Sequence, residues 1–389
     1  MRIAGIIAEY NPFHRGHAHH IHQTRALSGC DFVVVCMAGN FTQRGEAACL
    51  DKWSRAEMAL RCGADAVFEL PALWTLRTAD AFARGGVAIL GGLGCDLLSF
   101  GSEQADLPLM ERLAALREEE PPALSRTIRD GLGRGLSHAR ARGEALARYL
   151  SIDPQAVNQP NLILGVEYLR AIRAQKTPME ALAVPRQGDY HGTQLGPWAC
   201  ASAIRAAMAD GRMEAALKCV PEEAAPLLGQ APQMHPGDDL ILYALRNMTA
   251  QQLRALPDVS EGLEQRVLSA AAQSASREEL LERLKCKRYT HARLSRLCAH
   301  ALLGMTGEIC RRHPLPHYAR LIGLRADSAP LMHELKARSR LPIAADSAVL
   351  RGDEVFDLEC RATDLHALLC DDARQRRAGR EWTQPFVRL

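Results

Sequence analysis

Through the first two hundred positions, apolar residues arrive in short bursts, each ended by a polar, proline- or glycine-containing turn. Residues 3–8 (IAGIIA) are long enough for one buried strand. Glu9-Tyr10-Asn11-Pro12-Phe13 interrupts the run, and Pro12 disfavours helix at Asn11 while removing a backbone donor. From about Gly16 apolar positions return at helical intervals, with Ile21 and Leu27 on the expected core face. Residues 31–37 (DFVVVCM) read as a parallel strand covered on both sides. Residues 66–70 (AVFEL), stopped at Pro71, and 97–100 (LLSF) read as the third and fourth strands. Helices are predicted between and after them at 47–62, 79–90 and 107–117; in the first, Lys52 and Arg55 read as part of a solvated charged face.

Residues 118–150 break the rhythm with Pro121-Pro122 and scattered arginine and glycine, which predicts an insertion of short helices. A periodic helix over 162–173 follows, with Asn158 or Asn161 as its N-cap. Residues 179–184 (MEALAV) predict a fifth strand, and 198–208 a helix of small residues. This alternation specifies an α/β fold with a doubly wound parallel sheet, whose right-handed crossovers bring the strand ends to one edge. Beyond about Lys218 the β signal largely disappears and helices are expected, with one late strand over 344–349.

Composition places the chain among ordinary folded proteins: 389 residues, 47% hydrophobic and 24% charged. No apolar run approaches membrane-spanning length, and the first strand begins too close to Met1 for a signal peptide, so a cytoplasmic protein with no membrane contact is expected. The 12 cysteines are scattered without any CxxC, as for reduced thiols. A net charge of +3 hides a gradient. Residues 281–389 hold 20 Lys or Arg against 13 Asp or Glu, marking the last third as the polyanion-facing part. Two stretches there, Cys286-Lys287-Arg288-Tyr289-Thr290 and the arginine-rich 374–380, suit RNA contact.

The chemistry concentrates where strands end. His14-Arg15-Gly16-His17, an HxGH, falls between the first strand and the first helix. First-turn amides favour phosphate, Gly16 leaves room for a triphosphate, and the two imidazoles can donate to oxygens that gain charge during phosphoryl transfer. The plain alternative is a pair of loop histidines that cap a helix. His19, His20 and His22 follow on the helix, but no acidic ligand beyond Glu9 lies close in sequence, and no metal site is assigned. After the second strand, Asn40, Gln43 and Arg44 can orient a small substrate and neutralise its charge. Gly101 can admit a base or ribose, Arg186 is placed to clamp a phosphate or substrate, and Ser202 with Arg205 can meet a triphosphate at a helix start. Such a site positions ATP, with Mg²⁺ on its phosphates, for in-line attack at the α-phosphorus. The nucleophile is a phosphorylated metabolite or a carboxylate. A non-catalytic RNA-binding protein on a nucleotide fold is the third reading.

Six blocks sharpen the choice: GIIAEYNPFHRGHAHHI (5–21), AGNFTQRGE (38–46), DKWSRAE (51–57), FGSE (100–103), VSEGLE (259–264) and KRYTHARL (287–294). Together they resemble the bacterial tRNA(Met) cytidine acetate ligase family over nearly the whole chain. The resemblance implies a nucleotidyltransferase (HUP-like) sheet in an ATP-binding region 1–215 with the 118–150 insertion, and a mainly helical, tRNA-contacting region 216–389. It implies activation of acetate by ATP as acetyl-adenylate, then acetyl transfer to N4 of the wobble cytidine of elongator tRNA(Met). By the same resemblance, ATP contacts fall on Ile7-Ala8-Glu9-Tyr10-Asn11-Pro12-Phe13-His14-Arg15-Gly16-His17-Ala18-His19-His20, Gly101, Asn161 and Arg186. His14, His17, Asn40 and Arg44 are the expected catalytic residues.

Overall fold

A computed structural model describes residues 1–187, 192, 194–260, 262–286 and 288–389. Its centre is a twisted sheet whose five parallel strands are β1 (Ile3–Ala8), β2 (Phe32–Ala38), β3 (Ala66–Leu70), β4 (Leu97–Ser102) and β5 (Glu180–Pro185). Three more come from the last quarter of the chain: β6 (Ala319–Leu324), β7 (Ile343–Ala344) and β8 (Val387–Arg388). The spatial order is β5-β4-β1-β2-β3-β6-β7, with β8 also on β6. β1 pairs in parallel with both β2 and β4, so the chain reverses its direction of winding there. In open α/β sheets, ligands bind beyond the strand ends at this switch point.

Alternation along the strands explains both covered faces. Ile3 and Ile7 of β1, with Val34 and Cys36 of β2, pack in one core with α4 (Ala79–Gly92), which follows α1 (Arg15–Ser28), α2 (Lys52–Arg61) and α3 (Ala72–Thr75). Ala4, Ile6, Val33, Val35 and Met37 enter a second core under α1 and α2. Residues 118–150 hold the two helices Pro122–Gly133 and His138–Leu150. A third core, built around Leu245, Leu263, Leu280 and Leu297, belongs to helices between residues 238 and 303. Among the described residues no helix is long and apolar enough to cross a membrane.

Several expectations change. β6 is a strand where helices were expected, and it runs antiparallel to β3, so the sheet is mixed rather than wholly parallel. The late strand shrinks to Ile343–Ala344 and gives way to a 3₁₀ turn at Ser347–Leu350. Helix Pro160–Ala174 starts at N-cap Gln159 without a side-chain cap, so neither Asn158 nor Asn161 is the cap residue; Pro160 at the first helical position supplies the start. Leu27 is 57% exposed, and the buried face of α1 is Ile21 with Thr24. Lys52 and Arg55 are fully buried, not solvated. Lys52 Nζ pairs with Glu69 and, at 2.5 Å, with Glu381; Arg55 donates to the carbonyls of Leu50, Glu9, Ala38 and Gly39.

Candidate active site at the strand ends

The carboxyl ends of β1, β2, β4 and β5 surround a cavity of about 340 Å³. Its walls are the end of β1, the start of α1, the loop Thr42–Glu46, Gly101, Asn161, Arg186 and the start of helix Ala201–Ala209.

The histidine pair is built by the main chain. His14 is the N-cap of α1; its Nδ1 accepts the Gly16 N–H at 3.1 Å, while His17 Nδ1 accepts the His14 N–H at 3.2 Å. This is a reciprocal capping box made of imidazoles. Both rings therefore cap the helix, as the plain alternative proposed, but this uses only one nitrogen of each. With Nδ1 accepting, the proton of each neutral ring resides on Nε2, which remains a donor. The rings stack with centroids 3.7 Å apart, and Tyr10 and Phe13 fence His17 at 4.7 and 5.5 Å. Burial, then the Arg186 charge, lowers the His14 pKa to about 3; burial, then His14 and Arg186, holds His17 far below its usual range. Two imidazolium ions cannot coexist there. Gly16 is required by this arrangement, since a Cβ on it would lie 2.9 Å from His14 Cε1.

Around the pair lie charges of both signs. Arg205 donates to the Asn11 carbonyl, and Arg186 donates to Asn161 Oδ1 at 3.3 Å, whose Nδ2 in turn reaches Glu103 at 2.6 Å. Glu9 Oε1 accepts the Gln43 N–H at 2.6 Å, which ties β1 to the loop after β2. Burial raises the Glu9 pKa, against the Gln43 amide and the charges of Arg44, Arg205 and Arg55. His20 shares a 2.9 Å hydrogen bond with Ser99, and its pKa is lowered to about 4 by burial and Arg186. His19 meets the edge of Trp198 at 5.4 Å, and Ser202 bonds Cys200 Sγ at 3.0 Å.

Of the residues expected to contact ATP or substrate, Ile7, Ala8, Glu9, Tyr10, Asn11, His14, Gly16, His17, His19, His20, Arg44, Gly101, Asn161, Arg186, Ser202 and Arg205 line this cavity. Pro12, Phe13, Arg15, Ala18 and Asn40 are not among its lining residues. Phe13 is core, and Arg15 turns outward with its Nε on the Val220 carbonyl. Asn40 is buried, with its amide shared between Thr363 Oγ1 (2.9 Å) and the Lys52 N–H (2.8 Å). Its side chain thus braces the loop from beneath and is not among the residues that line the cavity. The outlet residues Gly188, Asp189, Tyr190 and His191 lie outside the described residues. Phe82, Phe100, Leu164 and Tyr168, which supply an apolar wall, were not singled out from sequence. Tyr168 carried a usable signal, standing seven residues after Asn161 on one helix face. No group of three metal-ligating side chains occurs among the described residues. The chemistry of the donor set, Glu9 and the rim carboxylate Glu46 beside several cations, does not make a protein-built magnesium cage.

The family profile described as HIGH Nucleotidyl Transferase matches residues 1–381. The tRNA(Met) cytidine acetate ligase of Acetivibrio thermocellus is 35% identical over 416 residues, covering 100% of both chains. That of Latilactobacillus sakei is 38% identical over 376 residues, covering 94% of this chain and 93% of its own. Among solved structures, Thermotoga maritima TmcAL bound with alpha-thio ATP superposes with a TM-score of 0.91 at 29% identity, covering 100% of each chain. The chain is an enzyme of the tRNA(Met) cytidine acetate ligase family, within the HIGH nucleotidyl transferases.

Proposed function

We propose that this enzyme uses ATP to activate acetate as acetyl-adenylate and then transfers the acetyl group to N4 of the wobble cytidine of elongator tRNA(Met), releasing pyrophosphate and AMP. The observation that carries this reading is the pair of neutral imidazoles, each with one Nε2–H left to donate, beside Arg186 and Arg205 in one cavity. In it, His14 and His17 hold phosphate oxygens as charge grows on them, and Arg186, Arg205 and Ser202 restrain the triphosphate. Gly101, Asn161 and the Phe100–Tyr168 wall receive the nucleoside, while Arg44 neutralises the acetate that attacks the α-phosphorus. Mg²⁺, if carried on the nucleotide, would compensate charge on the phosphates. Residues 1–215 form the ATP-binding part, with 118–150 as its insertion, and 216–389 the part that contacts tRNA.

The test is incubation with labelled acetate, ATP and elongator tRNA(Met), followed by digestion of the RNA. Labelled N4-acetylcytidine is expected, with initiator tRNA(Met) as the control. Pyrophosphate exchange driven by a phosphorylated metabolite and not by acetate would instead identify a metabolite adenylyltransferase.

A further inference from the structure

The reaction proposed above needs a proton acceptor: N4 of cytidine carries two hydrogens, and one must leave as the amide forms. The histidine pair cannot serve, because each Nδ1 already accepts a main-chain N–H and each Nε2 bears the remaining proton. His20 Nε2 is engaged with Ser99. Glu46 sits 4.0 Å from Arg277 with its side chain 37% exposed, at the rim. Burial raises the pKa values of the Tyr10 and Tyr168 phenols, which keeps them protonated.

Glu9 differs from all of these. It lines the cavity, its Oε1 is fixed by the Gln43 N–H, and its Oε2 accepts no hydrogen bond among the described residues. Its place in the sheet is equally specific. β1 has β4 on one side, whose end Gly101 lines the nucleotide side, and β2 on the other, whose loop carries Gln43 and Arg44. A carboxylate at the end of β1 stands between the two.

We propose that Glu9 is the general base of acetyl transfer, taking the N4 proton on Oε2. Resting on the ligase reading, the step balances as follows. The N4 lone pair forms a bond to the acetyl carbonyl carbon, and the bond from that carbon to the phosphate oxygen breaks, so AMP leaves with the electron pair. One N4 proton passes to Glu9, which becomes a neutral carboxylic acid and later returns the proton to solvent. Once nitrogen begins to share its lone pair, its proton becomes acidic enough for a carboxylate to remove. The groups that face Glu9 are Arg44 from the loop, Arg55 from α2, Arg205 from helix Ala201–Ala209 and the Tyr168 phenol; burial raises its pKa and strengthens it as a base, while the three guanidinium groups oppose that rise.

The decisive variant is Glu9→Gln, whose amide oxygen can still accept the Gln43 N–H. Two rates are compared: acetate-dependent ATP–pyrophosphate exchange, and acetyl transfer to tRNA in a single turnover. Transfer is expected to fall about 10²–10⁴-fold and exchange less than about tenfold. The wild-type transfer rate is expected to rise with pH at unit slope before levelling, and this slope is absent in Glu9→Gln. Glu9→Asp, which keeps a carboxylate, restores part of the transfer rate. Equal losses in both rates, or transfer at the wild-type rate in Glu9→Gln, overturn the assignment. If the wild type shows no acetate-dependent exchange, the ligase reading itself fails and this role goes with it.

Discussion

At the scale of single residues, the imidazoles of α1 join stability to chemistry. Replacing His17 by Ala removes one half of the capping box and one Nε2–H donor. Acetate-dependent exchange is expected to fall about 10²–10³-fold, the usual loss for one donor to a charged transition state; isotopic exchange assays measure it. Burial also sets a pH dependence. His14 has a pKa lowered to about 3, and His20, His300 and His366 to about 4, in each case chiefly by burial. Between those values and the ordinary imidazole pKa of about 6.5, the unfolded chain binds protons that the folded one refuses. Stability therefore rises with pH across that window and is unaffected by these groups above it. Melting temperatures should drop steadily from pH 7 to pH 5, and His300→Gln should flatten the slope. HxGH announced this corner because its chemistry is local, within four residues. The brace role of Asn40 was illegible because its acceptor, Thr363, stands more than three hundred positions away.

At the scale of elements, the loop after β2 is held from both sides. From below, Lys52 of α2, Glu69 of β3, Arg320 of β6, Glu359 and Glu381 form a buried cluster of two cations and three carboxylates. Burial opposes ionisation at Glu69, but Lys52 and Arg320 outweigh it and hold its pKa at about 2. Burial and the neighbouring Glu69 push the Glu359 pKa well up. Lys52→Met leaves buried carboxylates short of a counter-ion and should cost about 3–5 kcal/mol, read from the urea unfolding midpoint. From above, helix His291–Leu303 grips the loop: Ser295 Oγ donates to the Arg44 carbonyl at 2.6 Å, and Arg296 to that of Gln43 at 3.3 Å. Gly45, at φ +76°, passes so close that a Cβ would meet Arg296 N at 2.5 Å. Gly45→Ala should displace the loop and raise the KM for acetate about tenfold or more, as expected for about 1–3 kcal/mol of strain. Periodicity predicted β1 to β5 because each is an apolar run closed by a turn. It misread Lys52 and Arg55 because a buried cation looks like a surface one until the partners from distant strands are in place.

At the scale of the molecule, the cavity at the strand ends and the later helices share structure. The helices after residue 238 have their own core, yet β6 and β8 return to the main sheet and β6 covers the outer edge of β3. ARLIGL, six residues just after Pro314 and Pro316, is too short a signal to distinguish strand from helix, so this closure could not be read from the sequence. Its consequence is practical. A fragment ending at residue 215 would retain every strand up to β5 but leave the outer edge of β3 without β6, and Glu69 with Lys52 but without Arg320. Open edges of this kind recruit one another. Such a fragment should sediment as aggregates, whereas adding back residues 216–389 as a separate polypeptide during refolding should bring it into the soluble fraction.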